Sequence, residues 1–109
     1  MLIPEIVAVV PYATMFTTLA KVRIADAQRF IDVFSTHGLA KRRAHGSQGA
    51  QAFLLPDEPG SAMVLIDWAD RASFDAFLAD PEVPPTMRSG GALEPPRFTV
   101  LDRRGRYEA

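Results

Sequence analysis

The sequence predicts one α+β domain of the ferredoxin-like, split β-α-β kind, in the order strand, helix, strand, strand, helix, strand (βαββαβ). Three observations predict it. Apolar runs of strand length stand at four places, stretches with helical spacing follow the first and the third of them, and a short turn-rich segment joins the second to the third. With 109 residues, 48% hydrophobic and 23% charged, the chain has the size and balance to build a single core without disulfides or a structural metal.

Residues 1–14 are apolar but carry Glu5 and are broken by Pro4 and Pro11, with no basic leader, so they read as an extension, ordered or docked on a partner, rather than a signal peptide. The domain proper is expected over 15–102. From Phe16 to Ile24, residues Phe16, Thr18, Ala20, Val22 and Ile24 alternate with Thr17, Leu19, Lys21 and Arg23, which marks a first strand. Asp26 is placed to cap a helix in which Ala27, Phe30, Ile31 and Phe34 recur at spacings of three and four, until Gly38 offers a left-handed stop. The next segment, KRRAHGSQG, has no apolar period and is expected to be a polar connection.

Gly49 to Leu55 and Ala62 to Trp68 flank PDEPGS, whose Pro, Asp and Gly suit a turn, so the two runs are expected to form an antiparallel hairpin. Asp70 then caps a short helix carrying Phe74, Phe77 and Leu78, which ends at Asp80-Pro81. The Pro- and Gly-rich stretch PEVPPTMRSGGALEPP allows at most one helical turn, near Pro85 to Arg88. Arg97 to Leu101 reads as the last strand, and 103–109 as a charged tail. The result is a four-stranded antiparallel sheet with both helices on one face. Met63, Val64, Leu65 and Ile66 are apolar on both sides of their strand, so the second face needs a cover. Isologous packing of two sheets, a homodimer forming a dimeric α/β barrel, supplies that cover most simply.

Composition excludes several function classes. The chain has no cysteine, which rules out thiolate metal sites and cysteine nucleophiles and fits a reducing, cytoplasmic setting. Its net charge of −1 offers no field to draw nucleic acid. No run approaches the ~20 apolar residues that cross a bilayer, so neither nucleic acid nor membrane is expected as a partner. Asp57 and Glu58 lie in the hairpin turn without converging ligands, and His37 and His45 are too few for zinc; no metal is expected.

From Met15 to Leu101 the sequence resembles the antibiotic-biosynthesis-monooxygenase type of dimeric α/β barrel, most clearly in MVLIDWADRASFDAFLADPEV, where a strand ends in an acidic residue and Trp and a Phe-spaced helix follows. The resemblance implies the fold and the homodimer more than a reaction, because that superfamily hosts cofactor-independent oxygenases, haem degraders, isomerases and members with no demonstrated chemistry. Trp68 matches the Trp that the haem-degrading branch uses, but the chain holds no Asn, and both histidines precede the second expected helix. Haem degradation is therefore not expected. The oxygenase branch oxidises electron-rich polycyclic phenols without metal or flavin, the bound substrate anion reacting with oxygen itself. It needs an apolar slot, a hydrogen-bond partner for the phenolate and a base, and it implies no cofactor.

His37 follows Phe30 and Phe34 at the helical i+7 and i+3 positions, which makes it the candidate general base, facing a pocket between helix and sheet. The alternative is a helix-end histidine bonded to backbone or solvent. Trp68 offers a flat apolar wall with one donor, for an aromatic ligand or for the core. Phe30 and Phe34 belong to a helical stripe, as core or as ligand walls, and Met87 and Arg88 sit where a lid would lie, the arginine suited to an anionic substrate or simply solvated. Lys41, Arg42, Arg43 and His45 read as a solvated basic cluster past a helix end. Three functions fit: a cofactor-independent monooxygenase acting on an apolar aromatic or polyketide-like molecule, a non-catalytic homodimer binding a hydrophobic ligand or a partner protein, or an accessory dimerisation module.

Overall fold

The computed structural model describes residues 15–108; the expected extension over 1–14 lies outside the described residues. The elements run β1 (Phe16–Arg23), α1 (Ala27–Phe34), α2 (His37–Ala44), β2 (Ser47–Leu54), β3 (Ser61–Trp68), α3 (Arg71–Ala79), α4 (Val83–Ser89) and β4 (Arg97–Leu101). The strands form one antiparallel sheet in the order β2-β3-β1-β4. The expected ferredoxin-like arrangement is therefore present, with one correction: each helical connection is a pair of short helices rather than one.

Local chemistry explains the break in the first pair. Asp26 caps α1 by accepting the Arg29 N–H at 3.0 Å, as its sequence position predicts. At the other end the hydroxyls of Ser35 and Thr36 both donate to the Asp32 carbonyl, at 3.2 and 2.6 Å, and so compete with continuation of the helix. The chain restarts at His37, so residues 37–44, taken in part as a polar connection, are the helix α2. Its last turn carries Lys41, Arg42 and Arg43, which suits the negative end of the helix dipole. Gly46 then turns the chain into β2 with φ +85°, where a Cβ would lie 2.8 Å from Ser73 Oγ.

The second pair follows the same logic. Asp70 caps α3 by accepting the Ser73 N–H at 2.8 Å, and the helix ends before Pro81 as expected. Asp80 next accepts the Glu82 N–H at 2.8 Å. This bond, together with prolines in the first turn of α4, where their missing N–H costs nothing, starts a helix longer than the single turn expected.

Strand register sorts the side chains between two faces. Ala20 pairs with Val64, Thr18 with Ile66 and Phe16 with Trp68. That row meets the helices, and Ala20, Val64, Ile66, Trp68, Phe74 and Phe77 form the main core. The opposite row pairs Leu19 with Leu65, Lys21 with Met63 and Thr17 with Asp67. This outer face is apolar at its centre, where Leu19, Met63 and Leu65 are half-buried, and Phe53 on the adjoining strand is 49% exposed. At one end Arg103, just beyond β4, donates to Asp67 at 3.1 Å, and Thr17 Oγ1 donates to the same carboxylate oxygen. The start of the charged tail thus folds back on the outer face.

Candidate functional site

Between the sheet and the helices the core does not close. A cavity of about 80 Å³, partly open to solvent, is walled by sheet residues such as Ala20, Ile66 and Phe98 and by Phe30, Phe34 and Met87 from the helices. Its wall is overwhelmingly apolar. A small domain that leaves such a gap forfeits dispersion contacts and hydrophobic burial there, a cost well-packed cores avoid.

Two cations from adjacent positions of α2, Lys41 and Arg42, interrupt the apolar wall. They differ in how they are neutralised. Lys41 donates to Asp80 at 3.0 Å and to Glu82, bonds that hold its ammonium above the usual lysine range. Asp80 also lies 2.9 Å from His45 Nε2, and the hydrogen bonds from His45, the Glu82 backbone and Lys41 hold its carboxyl far below the ordinary range. Lys41 thus faces two carboxylates. Arg42 faces none among the described residues.

Arg42 is only 5% exposed. Its Nη1 donates to the Phe34 carbonyl at 3.0 Å and its guanidinium carbon sits 3.8 Å from the centroid of the Phe34 ring. Its Nε is buried without a hydrogen-bond partner. Burying an unpaired cation costs several kcal/mol even after relaxation. Against that, a charged hydrogen bond contributes ~1.5–3 kcal/mol, and a desolvated cation–π contact about 2. The orphaned Nε–H gives back ~1–3 kcal/mol, leaving the arrangement without evident surplus. Desolvation pushes the guanidinium down to about 10, so it remains charged at neutral pH. Gly38, one turn earlier, makes room for it: a Cβ there would stand 3.2 Å from Arg42 Nη1 and 3.1 Å from the Val33 carbonyl.

Of the residues singled out from the sequence, Phe30, Phe34 and Met87 converge on the cavity. His37 does not. The break at Ser35-Thr36 resets the helical phase, and His37 becomes the exposed first residue of α2 rather than the end of the α1 stripe. Trp68 is wholly buried, donates its indole N–H to Thr18 Oγ1 at 3.0 Å, and packs on Phe77 at 4.9 Å between centroids, so it stands behind the cavity wall. Arg88 is exposed, and its carbonyl accepts from Arg29 at 3.5 Å. Arg42 was missed because a run of basic residues without apolar period reads as solvated. Only the spacing of Gly38 and Arg42, one helical turn apart, hints at a shared inward face. Among the described residues, no group of three His, Cys, Asp or Glu is placed to hold a metal.

The fold is the four-stranded ferredoxin-like one, with a partly open apolar cavity under the helices, and solved antibiotic biosynthesis monooxygenases share it. Solved structures of the same shape include SnoaB, a cofactor-independent oxygenase from Streptomyces nogalater, with 21% identity, 86% of this chain and 97% of that one covered, and a TM-score of 0.69. A monooxygenase from the ActVA-Orf6 gene of Streptomyces coelicolor, in complex with nanaomycin D, matches 91% of this chain and 96% of its own at 13% identity and a TM-score of 0.66. A proposed antibiotic biosynthesis monooxygenase from Bordetella bronchiseptica matches 83% and 97% at 15% identity and a TM-score of 0.68. At such identities the likeness shows the fold. No family model matches the sequence, and no curated protein does. No helix among the described residues is long and apolar enough to cross a membrane.

Proposed function

We propose that this protein is a small enzyme of the cofactor-independent monooxygenase kind, acting on an apolar, aromatic or polyketide-like molecule held in the cavity between sheet and helices. The observation that carries the reading is that cavity itself: an apolar, partly open space in a fold shared with oxygenases, walled by three aromatic or thioether side chains that the sequence marks out. Its chemistry needs a substrate able to give up a proton and then electrons to dioxygen. The protein supplies exclusion of water, orientation and stabilisation of the anion. The test is oxygen consumption with a panel of hydroxylated aromatics, compared with their methyl ethers. Uptake with hydroxylated members and none with the ethers is expected; no uptake with any of them overturns the catalytic reading.

One observation favours a second reading, a non-catalytic binding module on the same cavity. Among the described residues, neither a carboxylate nor an imidazole lines it, so no general base of the usual kind stands there. Saturable ligand binding without oxygen uptake would select this reading.

We also propose a homodimer through the outer sheet face. The half-buried Leu19, Met63 and Leu65, together with exposed Phe53, make an apolar surface of the kind that isologous sheet packing covers. Absence of cysteine is compatible with a cytoplasmic protein.

A further inference from the structure

We propose that Arg42 makes the cavity selective for the ionised form of its ligand, so that the occupant is a small apolar acid whose deprotonated oxygen, of phenolate or enolate type, meets the guanidinium. This rests on the reading that the cavity is the ligand site, and deepens it by assigning the group that recognises the ligand's charge.

Three observations support it. Arg42 lines the cavity, is almost wholly buried, and has no carboxylate partner among the described residues, with its Nε lacking any acceptor. The adjacent cation, Lys41, already meets Asp80 and Glu82, so the wall carries one neutralised charge and one that is not. Gly38 keeps the space beside Nη1 free of a side chain, so the guanidinium is housed rather than expelled to solvent. An anionic oxygen in the cavity gives the guanidinium the countercharge it lacks.

The consequence is a reversal of sign. An apolar cavity on its own favours the neutral form of a weak acid and raises its pKa, whereas a desolvated cation within about 4–6 Å lowers it by ~1–3 units. A cavity that lowers the pKa of its ligand needs no general base on its wall, which agrees with the absence of a carboxylate or imidazole among the described lining residues. His45 and Asp80, which follow α2 and α3, are engaged with each other at 2.9 Å and do not line the cavity.

The test uses the full chain and two single-ring probes: 4-nitrophenol, whose acid and anion differ in visible absorption, and its neutral ether 4-nitroanisole. Spectrophotometric titration of the bound phenol gives its pKa in wild type, Arg42→Met and Arg42→Lys. The expected result is a bound pKa about one unit or more below the free value in wild type, above it in Arg42→Met, and lowered again in Arg42→Lys. If the ether binds but the wild-type phenol pKa is unchanged or raised, the assignment of Arg42 is overturned while the cavity stands as a ligand site. An equal lowering in wild type and Arg42→Met overturns it as well. If neither probe binds, the cavity reading itself falls and takes the inference with it. Should Arg42→Met not fold, the wild-type sign and Arg42→Lys still decide.

Discussion

Replacing Trp68 with Phe tests the most constrained part of the wall behind the cavity. Trp68 is 0% exposed, and its indole N–H donates to Thr18 Oγ1, itself fully buried, at 3.0 Å. The smaller ring leaves part of the site unfilled, which costs ~1 kcal/mol in transfer and cavity terms. It also orphans the buried Thr18 hydroxyl, at about 1–3 kcal/mol. The sum, roughly 2–4 kcal/mol, lowers the melting temperature of a domain this size by about 10 °C or more. Adding Thr18→Val removes the orphan and converts the pair to an apolar contact. The double variant should therefore recover a large part of the hydrogen-bond penalty, with a coupling of about 1 kcal/mol or more. Far-UV circular dichroism melts of the four proteins measure it, since Trp68→Phe removes the chain's sole tryptophan as a fluorophore. Strict additivity, within ~0.5 kcal/mol, would show that the indole and the hydroxyl do not depend on each other and would contradict a buried hydrogen-bonded pair.

Other outcomes follow from the same geometry. Gly38→Ala places a Cβ 3.2 Å from Arg42 Nη1 and 3.1 Å from the Val33 carbonyl, and is expected to lower both melting temperature and affinity for an anionic probe; unchanged affinity would place the anion elsewhere. The Asp80 carboxyl is held low by His45, the Glu82 N–H and Lys41. Its contribution to stability is therefore present above the unfolded carboxylate pKa of ~4 and is lost as pH falls below it. Asp80→Asn should flatten the acid limb of a stability-against-pH curve, and an unaltered limb contradicts the assignment. If the outer sheet face pairs with a second copy, light scattering reports about twice the mass of one chain, and Leu65→Glu shifts it toward one; a wild-type monomer at micromolar concentration removes that proposal.

The fold was legible because its signals are local and repeated. The alternation of Phe16 to Ile24, the apolar run of Ala62 to Trp68 and the caps Asp26 and Asp70 stand in the structure where their chemistry places them. Helix α2 was hidden because its most buried side chain is an arginine, which period-based reading counts as outward. The same fact hid the site. Arg42 is buried by an environment that only the tertiary structure supplies, the Phe34 ring and carbonyl, while His37 was placed inward by extending a stripe that Ser35 and Thr36 interrupt. Phe30 and Phe34 were recoverable because a helical apolar face needs no distant partner to announce itself, and Met87 because it stands in the Pro- and Gly-rich segment where a lid would lie. Whether such a face meets core or cavity depends on packing across the sheet, which no local spacing encodes.

An apolar aromatic molecule is expected to enter the space between helices and sheet. The chain's methionines provide a direct measurement, because Met87 lines that cavity while Met63 lies on the outer face of β3. With the methionine methyl groups carbon-13 labelled, titration with 4-nitroanisole should shift the Met87 resonance through the ring current of the bound probe and leave Met63 in place. A shift confined to Met63, or no shift at either methyl, would contradict it.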